Sequence, residues 1–588
     1  MFVEKIHSPA DVKKLTPNER KILAQEIRDA LLKRSSIHGG HFGPVFGVVE
    51  ATIALHTVFD APTDKLVWDI SHQTYTHKIL TGRNYGFIDP ARYDEVSGYS
   101  SPAESEYDLF EVGHTSTSIS LAVGLAKARD IMGGTENVVA FIGDGAMSGG
   151  EALEGLNVVG ELNSNFIIIF NDNGMSIAEN HGGMYPQFDE LRKTNGKSPH
   201  NLFKAMGLDY MYVAEGNDID ALIEAFTSVK NINHPIVVHI HTEKGLGYKP
   251  AMEHKEDWHW HGPHDIETGK SPAMSEGYES YPEITGKYIM DWVQNDPQSL
   301  VVSSAVPAAM GLNAERRHAL GKHYIDVGIA EETAVAVASG AAKRGAHVLY
   351  GTEATFLQRT YDQLLQDLAT NHNPATILTF DASVWGMRDF THIGFYDLAM
   401  MGNIPALRML APTTVEEFIA MLRWSLAQTD GPVIIRVPGG QVRHSAMPDK
   451  IRTDYSTNTS TVTHRGSRVA IFGLGSFYPL AVETARQLKD ELGIDATIVN
   501  PQIASDIDTT LLDSLSNTHE LIISLEDSII EGGYGSKIAT YLGRTSTKVA
   551  IYGITKDLYD RYNPTELMRT NRLDSTLIVQ DVKQTLSL

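Results

Sequence analysis

The chain has 588 residues, several times the length at which one hydrophobic core stops growing, so roughly two to four domains are expected. A composition of 42% hydrophobic and 21% charged residues with 50 glycines fits a folded α/β enzyme and excludes disordered, collagenous and membrane classes. The formal charge of -24, with no concentrated basic patch to offset it, excludes nucleic acid and membrane surfaces as partners and points to small molecules. Without cysteine there is neither a disulfide nor a thiolate-held metal. The opening MFVEKIHSPADVKKL lacks the apolar core of a secretory signal, and no stretch reaches the roughly twenty apolar residues of a spanning helix, so a cytoplasmic location is expected.

In chain order, the first clear unit begins with Val138 to Ile142, which ends in Gly143-Asp144-Gly145. Ala152, Leu153, Leu156, Val159 and Leu162 then recur at helical spacing, and Phe166 to Phe170 ends in Asn171-Asp172-Asn173. Short apolar runs joined by an amphipathic helix read as buried parallel strands, so this is a βαβ unit. Residues 252 to 285, rich in His, Trp, Gly, Pro and Ser, read as loop and linker, with a boundary near 290. A second α/β region follows, with strands expected at Ala346 to Tyr350, Ala375 to Phe380 and Val433 to Arg436. The polar, Thr-rich residues 441 to 465 read as a second linker. Val469 to Phe472 and Ile522 to Leu525 belong to a third α/β region. The expected fold is α/β, with mainly parallel sheets in three domains at 1–288, 289–450 and 464–588.

Asp144 and Asn173 each stand just past the carboxyl end of a strand in that βαβ unit, at the edge where open α/β sheets bind ligands. A carboxylate and an amide oxygen are hard ligands for Mg²⁺ or Ca²⁺, and Mg²⁺ commonly shares its shell with phosphate oxygens. The flanking glycines admit close backbone approach, and the helix start near Ser148 to Glu151 favours negative charge, so a metal and diphosphate site is the reading. Gly-Asp-Gly alone is also a common turn; its repetition at the strand edge shifts the balance. Two other patterns are set aside. Gly473-Leu474-Gly475 follows a strand, but Tyr478 stands where a dinucleotide fingerprint needs its third glycine, and a structural turn is expected. His254, His259, His261 and His264 could bind zinc, yet the interleaved Trp258 and Trp260 favour an active-site wall.

Asn173 follows Asp144 by 29 positions, which resembles the thiamine-diphosphate motif. Over nearly its full length the chain resembles the 1-deoxy-D-xylulose-5-phosphate synthase family. SIHGGHFG, WDISHQTYTHKILTGR, ESEYDLFEVGHTSTSIS, GDGAMSGG and NDNGMSIAEN resemble its first domain, DVGIAEE, TFLQRTYDQ and THIGFYD its second, and LEDSIIEGGYGS its third. The resemblance implies a transketolase-like fold with diphosphate-binding, pyrimidine-binding and C-terminal domains, thiamine diphosphate with Mg²⁺ as cofactors, and a homodimer. It implies that His72, Gly113, His114, Thr115, Gly145, Ala146 and Tyr248 contact the cofactor, and that Asp144, Asn173 and the main-chain oxygen of Met175 hold the metal. It selects Glu331, rather than its neighbour Glu332, as the carboxyl bonded to the aminopyrimidine, and Phe356 as the ring stacked on it. His41, His72 and His392 are implied catalytic histidines, with Arg359 and Arg388 towards the substrate. The implied reaction decarboxylates pyruvate and joins the two-carbon unit to D-glyceraldehyde 3-phosphate, for isoprenoid, thiamine and pyridoxal biosynthesis.

The sequence departs from the family pattern at the acceptor end. The arginines of the family's DRAG and YPRG strings fall at Asp381 and Gly439, an aspartate upstream of the THxG histidine is Arg388, and a tyrosine before TFLQR is Glu353. Arginine forks match phosphate geometry, so these changes open the alternative of a divergent enzyme with another aldehyde acceptor or a ketose donor. A non-catalytic scaffold of the same fold is a further alternative, opposed by the retained Asp144, Asn173 and Glu331. The span from Asn173 to Tyr248 is also shorter than the family's.

Overall fold

The structure is a computed structural model that describes residues 1–272, 277–386 and 389–588; Arg388 lies outside the described residues. The chain divides into two compact units, Met1–Glu276 with Gly328–Ala330, and Gly277–Val327 with Glu331–Leu588.

The first unit is built on five parallel strands, β1 (Lys65–Asp69), β2 (Val138–Gly143), β3 (Phe166–Asp172), β4 (Asp209–Val213) and β5 (Pro235–His241), in the order β1-β2-β3-β5-β4. Ala140, Ile168 and Val237 stand side by side across the three central strands. β2 and β3 are buried almost throughout, which is why they read as continuous apolar runs rather than alternating ones. Helices α1 (Pro17–His38), α2 (Ser118–Met132) and α3 (Gly150–Val159) belong to this unit. A capping box at Thr16 and Glu19 starts α1, and Ala152, Leu156 and Val159 of α3 bury the stripe that the sequence spacing predicts.

The second unit holds two sheets. One is wholly parallel: β6 (Ser299–Ser303), β7 (Tyr324–Asp326), β8 (His347–Glu353), β9 (Ala375–Ala382), β10 (Arg408–Leu410) and β11 (Val433–Pro438), ordered β10-β11-β9-β8-β6-β7. The other comprises β12 (Thr461–His464), β13 (Arg468–Gly473), β14 (Thr497–Asn500), β15 (His519–Ile529) and β16 (Lys548–Ile554), ordered β12-β14-β13-β15-β16, with only the edge strand β12 antiparallel among the described residues. The two sheets are tied by Arg436 of β11, whose fully buried guanidinium bonds Asp397 at 2.7 and 2.9 Å and Asp527 of β15 at 2.6 Å.

The position 288/289 expected for a boundary falls inside the helix Tyr281–Asn295, which Ser280 caps by accepting the Glu283 N–H. Its buried residues Tyr281, Thr285, Gly286 and Ile289 belong to the second unit. At the Gly473-Leu474-Gly475 turn, a Cβ on Gly473 would lie 2.7 Å from the Tyr478 Cα, so helix and strand close on each other with no space for a nucleotide.

Ile168 has neighbours on both sides in the sheet and is 1% exposed. Ile168→Ala is expected to cost about 2 to 5 kcal/mol, seen as a fall in the midpoint of the unfolding transition that includes the first unit; an unchanged midpoint would contradict this packing.

Candidate active site

In the first unit the carboxyl ends of the strands carry most of the residues in question. Asp69 ends β1, and its carboxylate accepts the N–H groups of Ser116 at 2.8 Å and Ser118 at 2.9 Å, fastening the loop of Gly113, His114 and Thr115 to the strand. His72 sits on the next turn, Ser71–Thr74, where the Ser71 hydroxyl donates to the Val112 carbonyl at 2.7 Å. The Ser116 hydroxyl donates to the Ala146 carbonyl at 2.8 Å, so this loop and the Gly145-Ala146 loop form one hydrogen-bonded body. Gly145 is crowded: a Cβ there would stand 2.9 Å from the Ser176 hydroxyl oxygen and 3.0 Å from its Cα.

Asp144 follows β2 directly and is 2% exposed. Burial first, and then the charge of Asp172, push its carboxyl up to about 7, against the Asn180 amide, which donates to Oδ2 at 2.8 Å, and the Lys244 ammonium. This carboxyl has too little positive charge beside it, and a divalent cation would supply what is missing. Oxygen donors are at hand. Asn173 Oδ1 accepts the Met175 N–H at 3.2 Å, and Asn180 Oδ1 is buried with no hydrogen-bond partner among the described residues. A carboxylate with amide oxygens fits Mg²⁺. Asp172, although buried, is held below its ordinary value by His239 Nε2 at 2.9 Å and by Arg192 at 2.6 and 2.5 Å on its two oxygens.

Two further neighbours belong beside this site: Lys244, which no sequence pattern singled out, and His259, which the sequence placed in an active-site wall. Lys244 is 1% exposed; its Nζ donates to the Ser176 carbonyl at 2.7 Å, and burial lowers it to about 8 although Asp144 works to raise it. Its signal was position: it follows β5 closely, at the strand edge that bears Asp144 and Asn173, beside the left-handed Gly245 and Gly247. The other is His259. A short antiparallel pairing sets Gly40 opposite His261 and His41 opposite Trp260, and Phe42 N–H bonds the His259 carbonyl at 3.0 Å. The rings of His41, His72 and His259 therefore lie 4.1, 5.6 and 5.6 Å apart. The histidine-rich segment is split in use, since His261 stacks on Trp258 at 3.9 Å. Desolvation and then the Lys244 charge hold His41 neutral, at about 3. Tyr248 packs on Phe42 at 5.1 Å and donates to the Ile266 carbonyl at 2.9 Å.

In the second unit Glu331 opens helix α4 (Glu331–Lys343) and is 1% exposed. Burial pushes it up to about 7, while Arg359, with Nη1 3.4 Å from Oε2, pulls it down. Phe356 and Arg359 share the turn Phe356–Thr360. The Thr355 hydroxyl donates to the Thr391 carbonyl at 2.9 Å, and His392 stands edge-on to Phe356 at 5.6 Å. Glu331, Phe356, Arg359 and His392 are thus brought together, and Arg359, expected to face the substrate, also addresses Glu331. Of the departures, Asp381 adopts φ +57° beside a register shift between β9 and β11. A Cβ on Gly439 would fall 1.8 Å from Trp385 Nε1, so the indole fills the space that a side chain at 439 needs. Arg436, with both carboxylates bound, is not a spare guanidinium.

Family models match in register with these elements: 1-deoxy-D-xylulose-5-phosphate synthase at residues 3–198 and 191–242, the pyrimidine-binding domain of transketolase at 280–444, and the transketolase C-terminal domain at 459–578. These matches, with parallel sheets of this arrangement, make the chain a thiamine-diphosphate-dependent transferase of transketolase build. A 1-deoxy-D-xylulose-5-phosphate synthase of Clostridium beijerinckii is 35% identical over 97% of this chain and 98% of its own. One from Geobacter sulfurreducens is 35% identical over 94% and 92%, and one from Chlorobaculum tepidum 34% over 98% and 96%. The chain belongs to the 1-deoxy-D-xylulose-5-phosphate synthase family, whose cofactors are thiamine diphosphate and a divalent metal. Among the described residues no helix is long and apolar enough to cross a membrane.

The raised Glu331 gives a pH signature in the cofactor-free protein. Its folded value of about 7 exceeds the ordinary 4.5, so its contribution to stability is full below pH 4.5 and is lost as the pH rises through 7. Glu331→Gln removes that loss, and relative to wild type it is expected to gain up to roughly 3 kcal/mol between pH 5 and pH 8 in urea unfolding. A difference independent of pH would show that Glu331 is ionised at pH 5 in the folded chain.

Proposed function

We propose that the chain decarboxylates pyruvate and joins the two-carbon unit to D-glyceraldehyde 3-phosphate, giving 1-deoxy-D-xylulose 5-phosphate. Relatives bearing that synthase's name match it over nearly their whole lengths, which supports the reading. The observation that carries it is Glu331, a carboxyl buried at the start of a helix beside Phe356 and Arg359, which burial pushes up to about 7.

Thiamine diphosphate, when bound, supplies the carbon centre at which pyruvate loses carbon dioxide. Asp144, Asn173 and the Met175 carbonyl hold Mg²⁺, and His72, Gly113, His114, Thr115, Gly145, Ala146 and Tyr248 hold the cofactor, with Lys244 as a cation for its diphosphate. Phe356 offers a ring face to the pyrimidine, and Glu331 holds a proton on its carboxyl oxygen for a ring nitrogen to share. His41, neutral at physiological pH, and His392 place imidazole nitrogens for proton transfer. Arg359 and Arg388 serve the acceptor. Three domains, near 1–288, 289–450 and 464–588, are supported by the three larger, mainly parallel sheets, although the first boundary falls nearer 276, before the helix Tyr281–Asn295, and the third sheet starts at Thr461; the assembly is a cytoplasmic homodimer.

A second reading, another aldehyde acceptor, is favoured by Asp381 and by the Trp385 indole against Gly439, which leave two positions without a guanidinium.

Both are tested by following carbon dioxide release from pyruvate with thiamine diphosphate and Mg²⁺, alone and with a panel of aldehydes. D-glyceraldehyde 3-phosphate is expected to accelerate release most, and Glu331→Ala to slow it by about 10² to 10⁴-fold while the cofactor still binds. Release at the wild-type rate from Glu331→Ala would overturn the mechanism, and a stronger response to an uncharged aldehyde would establish the second reading.

A further inference from the structure

Outside the acidic edge of the first unit, one group of side chains converges in a way that oxygen chemistry does not explain. One ring nitrogen from each of His41, His72 and His259 can be chosen so that all three lie within 4.8 Å of one another, and among the described residues no other trio of His, Asp or Glu does this. The convergence is enforced by backbone. The Gly40-His41 and Trp260-His261 pairing, the Phe42 N–H on the His259 carbonyl at 3.0 Å and the Gly43 N–H on the Trp258 carbonyl at 2.8 Å fix two of the rings to each other. His72 is fixed by the turn that Ser71 bonds to Val112. The Nδ1 of His259 is buried and bonds nothing among the described residues.

We propose that His41, His72 and His259 form a second cation site, for a borderline transition ion such as Zn²⁺, and that an ion there closes the site to cofactor or pyruvate. Tetrahedral zinc with nitrogen at about 2.0 Å needs nitrogens roughly 3.3 Å apart, so each ring has to move by about 1 Å, within the breadth of the histidine χ2 well. Three imidazoles leave the fourth position for water, the pattern of an open zinc site. The two sites sort cations by hardness: Mg²⁺ prefers the carboxylate and amide oxygens at Asp144, and Zn²⁺, Co²⁺ or Ni²⁺ the nitrogens. Burial keeps His41 and His259 unprotonated at neutral pH, so no proton has to leave those two rings. Lys244 is the charge that opposes the ion: its ammonium, donating to the Ser176 carbonyl, keeps its charge and acts on both His41 and His259, and the ion binds against it. The closing effect rests on the assignment of His72 and His41 to the cofactor and substrate; binding of the ion does not.

The test titrates Co²⁺ into the full-length protein in saturating Mg²⁺ and reads the visible spectrum. One equivalent per chain with the intense bands of four-coordinate cobalt is expected, displaced by one equivalent of Zn²⁺. His259→Gln and His41→Gln should each weaken binding about 100-fold with an unchanged far-ultraviolet spectrum. A weak six-coordinate spectrum, or one that both variants retain, overturns the site. Zn²⁺ is then expected to inhibit carbon dioxide release, reversed by a chelator; full activity with zinc bound overturns the closing effect. Failure of thiamine diphosphate to bind zinc-free protein would instead remove the proposed function and leave the cobalt spectrum to decide the site.

Discussion

Two carboxylates at the ends of adjacent strands, Asp144 and Asp172, set the electrostatics of the first unit. Both are buried, and like charges so placed cannot both be ionised without counter-charge. The chain supplies it unequally. Asp172 has Arg192 and His239, with the Tyr210 hydroxyl 2.7 Å from the far nitrogen of that imidazole. Asp144 has an amide and a more distant lysine, and stays poised near 7. The inequality locks Asp172 into its ion pairs and leaves Asp144 without a full counter-charge.

The second unit repeats the contrast. Arg436 is enclosed between Asp397 and Asp527 and holds two sheets together, a buried pair whose value lies in geometry rather than in net stability. Glu331 is met by an arginine at 3.4 Å, and burial pushes it up to about 7. In each unit the fully paired charges build the frame; raised carboxyls stand apart from it, Asp144 in the first and Glu331 and Glu526 in the second, the last accepting the N–H groups of Tyr534 and Gly535.

Much of this was legible because strand ends are legible. Apolar runs ending in Gly-Asp-Gly and Asn-Asp-Asn place their polar residues at one sheet edge, since every strand there is parallel. The helix stripe from Ala152 to Val159 followed from its period alone. The break between the units was harder to read: a His, Trp and Gly-rich stretch looks like linker, yet its Trp260-His261 pairs with Gly40-His41, and a capped helix runs through position 288. Aperiodic segments conceal such contacts because their order comes from long-range hydrogen bonds and not from local pattern.

The sequence by itself determined the family and the cofactor chemistry, because both rest on short strings whose residue types are the chemistry. Only the tertiary structure decided which groups are charged and which are neutral. Burial and the distance to a counter-charge set that state, and both depend on residues far away in sequence: Asp172 on Asp144, Lys244 on His41, Arg359 on Glu331. It also showed that the indole of Trp385 takes the space beside Gly439, a fact of packing that no ungapped reading of one string contains.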